Sequence, residues 1–317
     1  MIGARALPVL QGFSVLASGV ALGSSACERE RSSPAAAATV ASVPQPIASF
    51  SASPSASAPA PVVDAAPEVE PEPKSESCPE GMVLVEGKLC PGAVQQCLEH
   101  HPEYLRDKST SERCLEYKSP SKCISKERKT FRFCMDRYEW PNKKGEMPLV
   151  LVQWLEAKKH CESVGKRLCD EEEWLFACEG EEMLPYVYGY KRDDKKCQID
   201  RPYVPRKKAL KRYEGCQKDP ECKERFDKLD QRKPIGSFPE CISPEGVYDL
   251  NGSVNEWVNI PGKKYPNRSG LKGGWWGPVR CRCRPTVTFH KEEDWGYEAG
   301  FRCCKDADAD SADAGAE

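Results

Sequence analysis

The sequence has almost no excess charge and very few histidines. Forty-seven lysines and arginines are balanced by 49 aspartates and glutamates over 317 residues, which leaves a net charge of −2 at pH 7. Basic runs such as 206–208 are interrupted by acidic residues, which is typical of a solvated surface and argues against a nucleic-acid partner. The four histidines are His100, His101, His160 and His290. No two of them have His-x3-His spacing, so we interpret them as surface or structural side chains.

The sequence also lacks a Cys-x2-Cys pair, although it contains 18 cysteines. This absence argues against a structural zinc site, which usually needs such pairs. Seventeen cysteines lie between Cys78 and Lys305, a density that predicts disulfides formed in an oxidising compartment. Because 17 is an odd number, one thiol is expected to stay outside any disulfide if Cys27 is lipidated.

An apolar stretch without charge occupies residues 6–26, after Arg5 and before Cys27. We predict a signal peptide over residues 1–27 and therefore an exported protein. Residues 24–27 (Ser-Ser-Ala-Cys) resemble a bacterial lipobox, with Ser24 in the position where leucine is usual. A plain cleaved signal peptide and an uncleaved membrane anchor are the alternatives. We expect a membrane-attached lipoprotein in the periplasm or at the outer surface, or a secreted protein.

Low-complexity segments flank one large domain. Residues 28–77 consist mainly of Ala, Pro and Ser, which predicts a disordered, semi-extended tether. Residues 306–317 form an acidic, solvated tail. The domain itself is expected to cover 78–305. Its polar, charge-rich stretches 97–129 and 200–225 are interpreted as surface insertions.

Local patterns predict only a few regular elements. The predicted strands cover 81–87 and 131–140, and a predicted helix covers 151–164. Asp170 is expected to cap a further helix, with Glu173 completing a capping box.

Short motifs follow one another in a particular order along the domain. They are Asp-x-Tyr-Glu (136–139), Gly-Lys-Arg-Leu (165–168), Glu-x-x-Trp (171–174), Pro-Ile-Gly-Ser-Phe-Pro (234–239), Tyr-Asp-Leu-x-Gly-x-Val-x-Glu-Trp (248–257), Gly-Gly (273–274) and Gly-Phe-Arg-Cys (300–303). Their order resembles the formylglycine-generating enzymes, also called sulfatase-modifying factors, over residues 81–304. The resemblance implies an α+β fold related to C-type lectins, with little regular secondary structure and with disulfides as staples.

The resemblance implies two particular disulfides. Cys161 is expected to pair with Cys303 of the Gly-Phe-Arg-Cys motif, and Cys178 is expected to pair with Cys283. Closing loops of this length is expected to stabilise the fold by roughly a few kcal/mol each.

The resemblance also implies two calcium sites with altered ligands. The first would use Gln198, Ile199, Asp227 and the carbonyl oxygen of Leu229. The second would use Ser253, the carbonyl oxygen of Val254, and Glu256. Gln198 and Ser253 each stand where the family has asparagine. Calcium takes six to eight oxygen ligands, several of them charged, so we expect weakened binding. A cap or salt bridge is the alternative role for Glu256.

Cysteine oxidation in this family uses two cysteines five residues apart, because paired thiolates bind Cu(I). Here Cys281 and Cys283 are only two apart, and Cys283 is expected in a disulfide. Trp275 also stands where the enzymes have a small hydroxyl residue. We therefore expect no oxidase activity; the alternative is a copper-dependent formylglycine-generating oxidase that uses Cys281 and Cys283. Iron-dependent sulfoxide synthases share the fold, but their three-histidine site has no matching spacing here.

Aromatic residues near the family's substrate groove suggest a ligand site. Trp275, Trp276, Arg284, His290 and Trp295 are expected to line it. Aromatic rings with a few polar groups suit a peptide, a glycan or an exported protein partner. Core packing is the alternative for Trp275 and Trp276.

Overall fold

The computed structural model describes residues 77–107, 113–278 and 280–308. All of them belong to one structural unit, Val69–Glu317. The predicted signal peptide with Cys27, the tether up to residue 76 and the tail beyond residue 308 lie outside the described residues. No helix among the described residues has the length and apolar composition needed to span a membrane.

Short strands and short helices alternate along the described chain. The strands are β1 (Met82–Leu89), β2 (Ala93–Val94), β3 (Cys97–His100), β4 (Cys114–Tyr117), β5 (Lys122–Cys123), β6 (Lys129–Asp136), β7 (Arg167–Leu168), β8 (Asn255–Asn259), β9 (Ser269–Lys272), β10 (Ala299–Phe301) and β11 (Cys303–Asp306). The helices are α1 (Pro102–Arg106), α2 (Trp154–Ser163), α3 (Glu171–Glu179), α4 (Tyr213–Gln217) and α5 (Pro220–Leu229). The architecture is α+β with little regular secondary structure, as expected.

Two sheets organise the core. The larger has the strand order β1-β6-β11-β7, and β1 pairs antiparallel with β6 along its whole length, from Met82 opposite Asp136 onward. Val85, Phe133 and Met135 of this sheet are buried in the main hydrophobic cluster, which removes their apolar surface from water. The smaller sheet has the order β10-β8-β9, with β10 parallel to β8.

Strand β6 ends earlier than the predicted strand over 131–140. Its last residue is Asp136, whose carboxylate accepts hydrogen bonds from the backbone N–H of Cys303 (3.1 Å) and from Lys166 (2.5 Å). The backbone N–H of Tyr138 donates to the side chain of Asn142 (2.9 Å). The backbone N–H groups of Arg137 and Trp140 donate to the carbonyl oxygens of Gly81 (3.1 Å) and Phe301 (2.8 Å). Residues 137–140 therefore bend out of the β1–β6 pairing instead of extending the strand.

Helices α2 and α3 lie close to their predicted positions. Helix α3 has the expected capping box, in which the backbone N–H of Asp170 donates to Glu173 Oε2 at 2.9 Å. Gly180 ends it with a positive φ of 60°, a conformation that glycine adopts readily. Buried Trp174 and Phe176 hold the helix against the main cluster. Local capping and apolar spacing therefore determine this helix together.

Eight disulfides join 16 of the 17 cysteines among the described residues. They are Cys78–Cys134, Cys90–Cys123, Cys97–Cys114, Cys161–Cys303, Cys169–Cys304, Cys178–Cys283, Cys197–Cys241 and Cys216–Cys222. Both pairs expected from the resemblance are present. Two others, Cys97–Cys114 and Cys216–Cys222, close loops inside the two polar insertions.

Candidate functional site

The segment after β9 turns sharply at two glycines. Gly273 and Gly274 have φ values of 82° and 77°. A Cβ on Gly274 would lie 2.7 Å from the Cα atom of Cys281, and one on Gly273 would lie 2.7 Å from the carbonyl oxygen of Leu250. Only glycine permits both the backbone conformation and these close approaches. The loop 274–281 is thereby closed, with Cys281 packed against its first residue.

Both cysteines of this segment are committed to other contacts. Cys283 is bonded to Cys178 with an S–S distance of 2.07 Å. Cys281, the one cysteine outside a disulfide in the described part of the chain, is fully buried. Its thiol donates a hydrogen bond to the carbonyl oxygen of Trp275 at 3.1 Å. A Cu(I) site needs two reduced thiolates side by side, so these residues do not fit a copper ion.

The tryptophans that follow Gly274 pack on each other and on Tyr297. Ring centroids are 5.2 Å apart for Trp275 and Trp276 and 5.5 Å apart for Trp275 and Tyr297, both in edge-to-face geometry. Such pairs are favourable beyond their buried area. Trp276 is 0% exposed and belongs to a hydrophobic cluster, so its expected place in a ligand groove is wrong. Trp275 is 8% exposed and reaches an open cavity.

This cavity, called the aromatic pocket below, has a volume of about 290 Å³. Its aromatic lining consists of Tyr203, Trp257, Trp275, His290, Trp295 and Tyr297. Its charged lining consists of Arg206, Asp294 and Glu298. Its volume is at the lower end of the range for ligand sites. Three of the five residues expected to form the groove are brought together here: Trp275, His290 and Trp295.

Trp295 is the accessible ring of the pocket. It is 41% exposed, yet its indole N–H donates to the carbonyl oxygen of Leu210 at 3.1 Å. This bond holds the ring in one orientation while leaving part of it open to solvent. A ligand that stacks on Trp295 would therefore lose little side-chain entropy from the protein.

Glu298 places a carboxyl group in the pocket wall. Its Oε2 atom is buried and has no hydrogen-bond donor among the described residues. Burial raises the pKa of Glu298, while its own backbone N–H and the positive charge of Arg206 lower it. His290 lies 3.6 Å from Asp294, but burial outweighs that carboxylate and lowers the pKa of His290. The pocket thus combines an imidazole with a lowered pKa, aromatic faces and an acid whose Oε2 makes no hydrogen bond to the described residues.

Arg284 lies elsewhere, so its expected place in the groove is wrong. Its guanidinium donates to Glu179 Oε1 at 2.5 Å and to the carbonyl oxygen of Cys90 at 2.8 Å. The reason is the neighbouring disulfide. Because Cys283 is bonded to Cys178, the residue after each cysteine is brought to the other, and Arg284 meets Glu179.

The side chains expected at the second calcium site bind protein groups instead. Glu256 forms a buried ion pair with Arg302, with an Oε1 to nitrogen distance of 2.6 Å. Its Oε2 accepts from the indole N–H of Trp174 and from Arg302 Nε, both at 2.7 Å. Ser253 Oγ and the backbone N–H of Val254 donate to the carboxylate of a neighbouring acid, Glu139. These side chains do not fit a calcium ion, and Glu256 has the salt-bridge role that was the alternative.

The side chains expected at the first calcium site also contact protein groups. The side chain of Gln198 donates to the carbonyl oxygen of Gln231 and accepts from the backbone N–H of Lys233. Asp227 pairs with Lys223 one turn away on α5 (2.6 Å), whereas Ile199 and Leu229 are buried in hydrophobic clusters. No group of three or more His, Cys, Asp or Glu side chains suited to a metal was found among residues 77–107, 113–278 and 280–308.

Sequence reasoning missed Glu298, Tyr203 and Arg206 as pocket residues. Glu298 follows Trp295 and Tyr297 closely, so an acid beside an aromatic pair was the available signal. Tyr203 and Arg206 come from the second insertion, and no local pattern links them to residues 290–298.

Comparison with known proteins identifies the family. The profile of the sulfatase-modifying factor enzyme 1-like domain matches residues 71–307. The inactive C-alpha-formylglycine-generating enzyme 2 of Bos taurus is 30% identical over 170 residues, which cover 51% of this chain and 51% of the relative. The protein of the same name from Mus musculus is 29% identical over 169 residues, which cover 51% and 50%. The chain thus spans about half the length of these relatives.

Two solved structures align with most of the domain. CarF is 15% identical with a TM-score of 0.42, covering 72% of this chain and 98% of its own. PvdO from Pseudomonas aeruginosa is 18% identical with a TM-score of 0.40, covering 71% of this chain and 94% of its own. Because the family profile covers well over half of the sequence, this chain belongs to the sulfatase-modifying factor enzyme 1-like domain family.

Proposed function

We propose that this chain is an exported, membrane-attached binding module of its family, which uses the aromatic pocket to bind a peptide or protein partner and does not oxidise cysteine. One observation carries the proposal: of the two cysteines in the segment that holds the copper pair in the enzymes, Cys283 is in a disulfide and Cys281 is buried. A soft metal ion would find one oxidised sulfur and one inaccessible thiol.

Export and attachment are supported from two sides. Eight disulfides fit an oxidising compartment outside the cytoplasm. The apolar stretch 6–26 and the lipobox-like residues before Cys27 support cleavage and lipidation there. The tether would then hold the domain away from the membrane surface.

The aromatic pocket supports the binding role. It offers a concave site of about 290 Å³ with an exposed indole, which is the kind of surface that aromatic-anchored recognition uses. The names of the two curated relatives, which call them inactive, agree with a role other than oxidation.

A cysteine-peptide assay tests the absence of oxidation. The full chain, incubated with a cysteine-containing peptide, Cu(I) and oxygen, is expected to yield no aldehyde by mass spectrometry. Formation of the aldehyde, lost in Cys281→Ser, would overturn the proposal in favour of a copper oxidase.

A thiol count tests the same point without turnover. The Cys27→Ser variant, denatured without reductant, is expected to show a single titratable thiol, which Cys281→Ser removes. Three thiols, contributed by Cys178, Cys281 and Cys283, would contradict the proposal.

A further inference from the structure

We infer that the aromatic pocket recognises a positively charged side chain, that of lysine or arginine, on its partner peptide. This inference rests on the proposed binding function and narrows its ligand to one chemical class. It is carried by Glu298, by the aromatic rings around it and by the way the fold holds them.

The fold presents the Glu298 carboxyl group from a rigid position. The carbonyl oxygen of Glu298 accepts a hydrogen bond from the backbone N–H of Asn255 at 2.8 Å, where β8 begins. Ala299, the next residue, starts β10 and pairs with Asn255 in the smaller sheet. The backbone that carries this carboxyl group is therefore fixed by two paired strands.

Glycine at position 296 makes room for this carboxyl group. A Cβ on Gly296 would lie 2.8 Å from Glu298 Oε2 and 2.9 Å from its Cδ, so any larger residue would push the acid out of place. The carboxyl group is thus held against the backbone. Its own backbone N–H lies near it, but the buried Oε2 makes no hydrogen bond of normal geometry to the described residues. A buried acceptor without a donor is costly, and a ligand that supplies an N–H group would remove that cost.

The surrounding rings favour the same sign of charge. Trp275 and Trp295 line the pocket together with Tyr297, and the faces of indole and phenol rings attract cations. An ammonium or guanidinium group would therefore gain both a charge-assisted hydrogen bond to Glu298 and contact with the rings. A carboxylate or phosphate would meet an acid and negative ring faces.

Arg206 is a cation at the mouth of the same pocket. Its side chain is exposed and lines the cavity, and its charge acts on Glu298. A cationic ligand would compete with it, so the guanidinium would have to move toward solvent. Removal of Arg206 should therefore increase the affinity for a cationic ligand, whereas loss of most pocket residues would decrease it.

The test uses the full chain and pools of hexapeptides with random flanks and one fixed central residue. The fixed residue is lysine, arginine, norleucine or glutamate, and binding is followed by tryptophan fluorescence and calorimetry. We expect the lysine and arginine pools to bind at least about tenfold more tightly than the norleucine pool, which has an uncharged aliphatic chain.

Variants locate the effect. Glu298→Gln should reduce the preference for lysine over norleucine to nearly nothing, while Glu224→Gln, an exposed acid paired with Lys228 outside the pocket, should leave it unchanged. Arg206→Ala should raise the affinity for the lysine pool severalfold, whereas Lys208→Ala should not. Thermal melting of each variant shows whether the fold is intact, and the Arg206 effect is a gain that unfolding cannot produce.

The outcomes distinguish failure of the charge inference from failure of the proposed binding function. Equal binding of the norleucine and lysine pools overturns the charge inference and leaves the binding function standing. Tighter binding of tetramethylammonium than of any lysine peptide, or binding of neutral oligosaccharides only, also overturns the inference, in favour of another ligand class. Failure of every pool to bind the folded wild-type chain overturns the binding function at this pocket and the inference with it.

Discussion

Removal of the Cys178–Cys283 disulfide should cost more stability than removal of any short-loop disulfide. The bond joins helix α3 to the segment that follows the Gly-Gly turn, and its cysteines are 105 positions apart in the sequence. The double variant Cys178→Ala/Cys283→Ala removes it without leaving a new thiol. Both cysteines are fully buried in the main hydrophobic cluster, so alanine is tolerated better there than serine.

The magnitude follows from the loop that this bond actually closes in the unfolded chain. A second disulfide, Cys169–Cys304, lies nearby. Cys178 lies 9 positions after Cys169, and Cys304 lies 21 positions after Cys283. The shortest loop is therefore about 30 residues rather than about 105, and the chain-entropy relation gives about 3.6 kcal/mol rather than about 4.8 kcal/mol. The same relation gives about 2.2 kcal/mol for Cys216–Cys222, whose cysteines are 6 residues apart.

Urea unfolding without reductant, followed by tryptophan fluorescence, measures both double variants. The Cys178→Ala/Cys283→Ala variant is expected to lose about 1.4 kcal/mol more than Cys216→Ala/Cys222→Ala. Equal losses, or a larger loss for the short loop, would refute the loop argument. An unchanged free energy of unfolding for the first variant would show that the bridge does not exist in solution.

Three further predictions concern buried charges. Burial lowers the pKa of Lys272 to about 7. Between about pH 7 and 10.5 the unfolded chain therefore binds a proton that the folded chain has lost, and the free energy of unfolding should rise with pH. Urea unfolding at pH 7.5 and 9.5 should show a smaller rise for Lys272→Met than for the wild type. Burial raises the pKa of Glu179 to about 7. The folded chain keeps a proton that the unfolded chain loses above about pH 4.5, so the free energy of unfolding should fall between about pH 4.5 and 7. Glu179→Gln should remove this fall, and an equal fall in the variant would contradict the prediction. Glu256→Gln should destabilise the fold by about 3–5 kcal/mol, because it removes the carboxylate that is paired directly with the buried charge of Arg302. The exposed pair partner Glu162→Gln should lose less than about 0.5 kcal/mol, and similar losses for the two would argue against the buried pair.

Sequence reasoning succeeded where the determinants are local or where a motif carries them. The capping box of Asp170 and Glu173 is such a case, since it depends only on the geometry of the first helical turn between these two residues. The pairs Cys161–Cys303 and Cys178–Cys283 came from the family resemblance, and the structure contains both.

Reasoning from neighbouring residues failed at the ligand groove. Arg284 and Trp276 are close in sequence to Trp275, yet only Trp275 faces the aromatic pocket. The disulfide at Cys283 draws Arg284 toward Glu179. Both tryptophans belong to one core cluster, but Trp276 is fully enclosed in it, whereas Trp275 also lines the pocket. Where a side chain ends up in this region depends on its covalent and packing partners, which short-range patterns do not encode.

Motif order was enough to indicate the family, and cysteine content predicted a disulfide-rich domain. The two-residue spacing of Cys281 and Cys283, also read from the sequence, is the basis of the proposal that this chain does not oxidise cysteine. Tertiary structure alone decided what the remaining residues do. It paired Glu256 with Arg302, buried Cys281, and assembled the aromatic pocket from the second insertion, the Gly-Gly loop and the strand end at Glu298. The physical reason is that a pocket and a buried ion pair are made by residues far apart in the chain, whose meeting is set by sheet register and disulfides rather than by any single segment.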